Sequence, residues 1–194
     1  WLHPRAEVER FETALKQSGG ELTPLDRNLI DDVWDDQPPP PCAAIKPHTE
    51  AFAGEASLSK RGRLGEDLRA ANVDATVLTL PDSIAWLLNI RGGDIPRNPV
   101  PLVFAILRAD GATTLFAQDE QIDQALRDHL GRDVAILPKD QLTRALSALG
   151  GQRVALDPAS CPIAIATLIG AAGGEVVWRT DPCILAKARK NEVE

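Results

Sequence analysis

Residues 102–117 read Leu-Val-Phe-Ala-Ile-Leu-Arg-Ala-Asp-Gly-Ala-Thr-Thr-Leu-Phe-Ala, two apolar runs split by Asp110-Gly111. An Asp-Gly pair between such runs is a strong hairpin signal, because both residues tolerate the positive φ of a tight turn. The reading is two antiparallel strands, Leu102 to Ala109 and Thr113 to Ala117. On either side the chain alternates. Upstream come a helix from Ala56 to Ala71, with Leu58, Leu64 and Leu68 on one side, and a strand from Ala75 to Leu80. Downstream the pattern predicts a helix from Asp119 to Leu130, a strand from Val134 to Leu137 and a helix from Lys139 to Leu149. A strand from Arg153 to Leu156, a helix from Cys161 to Ala172, a strand from Glu175 to Trp178 and a helix from Asp181 to Glu194 follow. Alternating strands and helices predict an α/β fold, and the hairpin makes its sheet mixed rather than purely parallel: a mixed β-sheet flanked by helices.

Just before the hairpin lies Pro-Asp-Ser-Ile-Ala-Trp-Leu-Leu-Asn-Ile-Arg-Gly-Gly-Asp-Ile-Pro-Arg-Asn-Pro, residues 81–99. Asp82 or Ser83 is a candidate N-cap, and Ile84, Leu87 and Leu88 recur at helical spacing. Gly92-Gly93, Pro96 and Pro99 end the helix. Asn89, Arg91, Asp94 and Arg97 share the bend. Rigid turns with several hydrogen-bonding groups often build binding surfaces, so the loop reads either as such a surface or as a plain helix-to-strand connection with solvated charges.

At 194 residues the chain is long enough to bury a core, with 44% hydrophobic and 25% charged residues. Four Trp, four Phe and no Tyr leave aliphatic side chains to fill that core. The net charge of -7 argues against nucleic acid as a partner, since phosphate binding needs clustered Lys and Arg. No apolar run reaches the roughly 20 residues of a membrane span, and no secretory signal opens the sequence. Cys42, Cys161 and Cys183 are odd in number and far apart, which fits reduced thiols and a cytoplasmic location.

Residues 5 to 18 place Val8, Phe11 and Leu15 at helical spacing before Gly19-Gly20, and Leu25 to Trp34 reads as a second short helix. Pro38 to Pro41 form a stiff polyproline spacer, so a domain boundary is expected near Pro41. The absence of Met, the start at Trp1 and the uncapped polar run Lys190 to Glu194 read as a piece of a longer protein.

Recognisable catalytic patterns are scarce. His3, His48 and His129 are isolated, without a second His at ligand spacing. Asp31-Asp32 and Asp35-Asp36 read as solvated carboxylates in the linker, and His48 as a surface or packing residue. Cys161 sits at a helix start, where the helix dipole can lower a thiol pKa; a buried inert thiol is the alternative. The Gly-Gly pairs beginning at 19, 92, 150 and 173 match no phosphate-binding pattern.

The central loop carries a resemblance. Asp82 to Val100 closely resembles the segment of long-form Xaa-Pro aminopeptidases that reads Leu-Asp-Glu-Ile-Ala-Trp-Leu-Leu-Asn-Leu-Arg-Gly-Ser-Asp, then a short variable stretch and Asn-Pro-Val. Asp26 to Pro39 is similar to that family's Asn-Leu-(Val/Ile)-Asp-x-(Val/Ile)-Trp linker, and Asp181 to Glu194 to its Lys-Ala-x-Lys-Asn lead into the catalytic domain. This sequence departs at Gly93, commonly Ser, and at Arg97, commonly Tyr or another residue. The resemblance implies a creatinase/prolidase N-terminal-type fold, with 1–41 the end of a first such domain plus linker. Residues 42–180 would then be a second, middle domain, and 181–194 the start of a catalytic domain. It implies a parent that removes the residue before an N-terminal proline with two divalent metals, usually manganese, whose ligands lie beyond Glu194, so no cofactor belongs to this piece. It also implies partners: the chain's own catalytic domain, peptides with proline second, and a second copy as a homodimer. Asn89, Arg91 and Asp94 become candidates for shaping the substrate entrance, with Arg91 pairing a carboxylate. A stand-alone binding or regulatory module of the same fold is the alternative, and an enzyme acting through Cys161 a third.

Overall fold

In a computed structural model of the chain, residues 1–25 and 27–193 are described. The hairpin lies where its sequence placed it. Strands β4 (Phe104–Arg108) and β5 (Thr113–Ala117) pair antiparallel, Phe104 opposite Phe116 and Leu107 opposite Thr113. Gly111 takes φ +85°, and the Asp110 carboxylate accepts the Ala112 N–H at 2.9 Å. The turn is clamped from outside: Arg61 donates to the Gly111 carbonyl at 2.9 Å.

The other main strands are β2 (Ala75–Leu78), β6 (Val134–Pro138), β7 (Arg153–Leu156) and β8 (Glu175–Trp178). They form one six-stranded sheet in the order β6-β5-β4-β2-β7-β8. β4 runs against both its neighbours, while β5–β6, β2–β7 and β7–β8 are parallel, so the sheet is mixed through a single reversed strand. Side chains alternate across it as the pleat dictates. Leu78, Ala105, Leu107, Leu115, Ala117 and Ala155 enter the core on one face, beneath α3 (Ser57–Ala70), α4 (Pro81–Leu88) and α5 (Gln124–Leu130). Ala75, Val77, Ile106, Phe116, Val154 and Leu156 enter the other, with α6 (Leu142–Ser147) and α7 (Ile163–Ala171).

Beyond these lie α1 (Arg5–Gln17), the one-turn α2 (Glu50–Ala53), α8 (Pro182–Ala188) and a two-stranded antiparallel ribbon of β1 (Lys46–Pro47) with β3 (Ile90–Arg91). α1 docks by its first turn: Pro4 bridges to Pro162, Ala6 N–H donates to the Pro158 carbonyl, and Arg5 lies over Trp178.

Several expectations are corrected. Leu25 to Trp34 is not a helix; among its described residues only turns form, and Leu25, Leu29, Ile30, Val33 and Trp34 are exposed. With its apolar residues left exposed rather than packed, this ten-residue stretch does not offset helix nucleation, and the Asn28 side chain accepts the Ile30 N–H instead. Asp26, where the linker resemblance begins, lies outside the described residues. The run from Asp119 splits into a 3-10 turn (Asp119–Gln121) and α5, because Asp123 caps α5 by accepting Leu126 N–H at 2.8 Å. The run from Lys139 likewise opens as a 3-10 turn. α4 is capped by neither Asp82 nor Ser83: Pro81 occupies the first turn, where its missing N–H costs nothing, Asp82 pairs with Lys187, and Ser83 is buried. α8 stops at Ala188, short of Glu194, which is outside the described residues. The ribbon and α2 had no sequence signal, being too short for periodicity.

Candidate functional site

α4 ends on Asn89, which takes φ +51°, ψ +55° as the left-handed C-cap. Asn is one of the few residues besides Gly that holds this geometry routinely. The chain can then turn at once into β3, and Asn89 becomes a junction. Its Oδ1 accepts from Lys60 Nζ at 2.9 Å, and its Nδ2 donates to the Glu55 carbonyl at 2.8 Å. Its backbone carbonyl accepts from His48 N–H and from His129 Nε2, both at 2.8 Å. Lys60 is almost fully buried; its ammonium also bonds the Trp86 carbonyl and lies 4.4 Å from that indole's centroid. Through its side chain and backbone carbonyl, Asn89 thus joins the end of α4 to α3, to α5 and to the segments just after β1 and α2.

Past β3, Gly92 packs against backbone: a Cβ there would meet Pro101 N at 2.5 Å. Asp94, 7% exposed, turns inward. Its Oδ1 accepts Ala43 N–H at 2.8 Å, and its Oδ2 accepts Leu102 N–H at 2.7 Å and Gln121 Nε2 at 3.0 Å. The carboxylate therefore ties the end of the proline linker to the strand leading into β4 and to the turn after β5. Arg91 is half-buried and donates through Nη1 to the Ile90 carbonyl at 2.9 Å. Arg97 is exposed at φ +64°.

The four loop side chains do not converge. Asn89 and Asp94 serve separate hydrogen-bond networks on opposite sides of β3, while Arg91 and Arg97 lie nearer solvent. Two surface clefts of about 310 and 370 Å³ are lined by other residues. The sequence reading missed Lys60, His129 and Gln121 as partners of the loop. Lys60 and His129 lie on helices that looked merely amphipathic; only a buried Lys at an apolar position would have hinted at it.

Two of the three thiols are buried. Cys161 is buried, and desolvation, helped by Asp157, pushes it up to about 12, outweighing any lowering by the helix dipole. Cys183 is raised by burial and then by Asp181; exposed Cys42 is also raised. His48 stacks on Phe52, with ring centroids 5.9 Å apart. Among the described residues no three His, Cys, Asp or Glu side chains are grouped to hold a metal ion. These residues do not fit a di-metal centre. No described helix is long and apolar enough to cross a membrane.

The six-stranded sheet with one reversed strand has known counterparts. Residues 36–194 match the creatinase/prolidase N-terminal domain family. The chain belongs to that family. Among curated relatives, the probable Xaa-Pro aminopeptidase P of Neosartorya fischeri is 35% identical over 193 residues, 95% of this chain and 29% of the relative. That of Aspergillus clavatus is 34% identical over 189 residues, 93% of this chain and 29% of the relative. This creatinase/prolidase-type chain thus spans under a third of the length of the relatives it matches. It superposes on the crystal structure of X-prolyl aminopeptidase from Caenorhabditis elegans with a TM-score of 0.86 and 28% identity, covering 99% of this chain and 32% of that enzyme. The worm protein is described as a cytosolic enzyme with a di-nuclear active site. Xaa-Pro dipeptidase from Bacillus anthracis shares the fold at a TM-score of 0.52 and 17% identity.

Proposed function

We propose that this chain is a noncatalytic part of an Xaa-Pro aminopeptidase. In this reading residues 1–41 close a first creatinase-like domain, 42–180 form a middle domain, and 181–194 lead into the metallopeptidase domain. The observation that carries it is the match over 99% of this chain to only 32% of the worm enzyme. The parent's chemistry, hydrolysis of the bond before an N-terminal proline at two divalent metals, of which manganese is our candidate, would reside in the remainder. A cytoplasmic location and a homodimer belong to the same reading.

Asn89, Arg91 and Asp94 keep their assignment as residues that shape the substrate entrance. What supports it is rigidity: Asn89 and Asp94 hold the chain on either side of Arg91 in buried networks, which would present Arg91 in a fixed pose. A planar guanidinium suits a carboxylate met at fixed geometry. The test compares this chain with a polypeptide extended to the length of the relatives, both incubated with manganese and a peptide carrying proline second. Release of the first residue by the long form alone supports the reading. A reading frame that stops soon after Glu194 would instead favour a stand-alone binding or regulatory module.

A further inference from the structure

Among the described residues, one buried side-chain oxygen has no hydrogen-bond partner: Oδ2 of Asp181. Asp181 is 6% exposed and stands between β8 and α8. Its other oxygen accepts Cys183 N–H at 2.7 Å. Its own N–H donates to Oδ2 of Asp157 at 2.8 Å, and Asp157, equally buried, holds the β7–α7 turn through Ala159 N–H. The Asp157 carboxylate therefore holds the Asp181 backbone where α8 leaves the sheet, with both residues buried.

The groups that face Asp181 come from three elements. α4 contributes the Ser83 hydroxyl, with Asp82 acting on Cys183 beside it; the β7–α7 turn reaches the Asp181 backbone N–H through Asp157; α8 contributes the Cys183 N–H and thiol and Lys187. Lys187, the cation of this set, is engaged with Asp82 and with Ser83 Oγ, which binds α8 to α4. An ionised Asp181 would be a buried charge with one oxygen, Oδ2, outside hydrogen-bond geometry with any described donor. An unpaired charge in such a place costs far more than a neutral acid. Burial accordingly pushes the Asp181 carboxyl up, with Ser83, Cys183 N–H and Lys187 pulling the other way.

We propose that Asp181 is a proton-operated latch on α8. With its proton on Oδ2, the neutral acid keeps the first turn of α8 closed against α4 and the β7–α7 turn. Ionised, it favours a state in which α8 swings away and the carboxylate reaches water. The closed state binds the proton more tightly than the open one, so closure is fully favoured below the ordinary carboxylate range. It weakens as pH rises through the raised pKa of the closed state, and levels off above it.

Amide hydrogen exchange of Cys183 to Ala188 in the 194-residue chain, corrected for intrinsic rates, reads the opening equilibrium directly. Opening is expected to grow by up to about tenfold per pH unit across the transition and then plateau. Asp181→Asn, which mimics the neutral acid, should stay closed with a flat profile. Lys187→Gln removes the cation that favours ionisation, so its transition should move to higher pH; this arm serves even where Asp181→Asn fails to fold. A flat profile in the unmodified chain, an unchanged slope in Asp181→Asn, or an unmoved midpoint in Lys187→Gln overturns the latch.

Discussion

Replacing Asp94 with alanine removes one carboxylate and strands three donors: the amides of Ala43 and Leu102 and the side-chain amide of Gln121. The site is 7% exposed, so water cannot freely replace the lost acceptor. Hydrogen bonds to a charged group are worth about 1.5–3 kcal/mol each, but the three share one anion and are not additive. A total of about 3–5 kcal/mol is therefore expected, which places the change among the severe substitutions. For a chain of this size that corresponds to a Tm drop of roughly 6–20 °C. Asp94→Asn gives the internal control. Its single oxygen should turn toward Leu102 and Gln121, leaving its NH2 against the Ala43 amide, for a loss of about 1–3 kcal/mol. Urea denaturation followed by far-UV circular dichroism measures both. A loss below about 1 kcal/mol for Asp94→Ala would refute the account of this carboxylate as the tie between linker, β4 and the turn after β5.

Gly92→Ala should be strongly destabilising, by about 2 kcal/mol or more, because the new Cβ would lie 2.5 Å from Pro101 backbone nitrogen; a thermal melt equal to that of the parent sequence would contradict the packing. Of the three thiols, Cys42 should take up iodoacetamide in the native state at pH 8 while Cys161, raised to about 12, and Cys183 label only after unfolding, as counted by intact mass. Arg91→Ala, in a polypeptide extended to the length of the relatives, should lower turnover with a Tm change within about 1 °C; unchanged turnover removes Arg91 from the entrance.

Fold class was legible because it rests on local chemistry repeated along the chain. Asp110-Gly111 specifies its own turn, and β7 and β8 span the residues, Arg153–Leu156 and Glu175–Trp178, that the sequence reading assigns them. Leu25 to Trp34 shows the limit of that logic. Its helical spacing of apolar residues is real, yet it has no surface in this chain to pack on, and propensity alone cannot carry ten residues. Asp123 shows another: a good capping residue within a helical-looking run starts a new helix rather than continuing the old one.

The loop from Pro81 to Pro99 divides along the same line. From sequence came its prolines, its glycine pair, the choice of Asn89, Arg91 and Asp94 as candidates, and the resemblance to Xaa-Pro aminopeptidases. Tertiary structure alone decided where those groups point. Asn89 meets Lys60 across 29 positions of chain, and Asp94 meets Ala43 across 51. Hydrogen bonds between distant segments leave no periodicity to read, since each depends on where two separate elements come to rest against the sheet. For the same reason Asp181 was only the first residue of an expected helix until the fold buried it against the β7–α7 turn, where one of its carboxyl oxygens is left without a hydrogen bond.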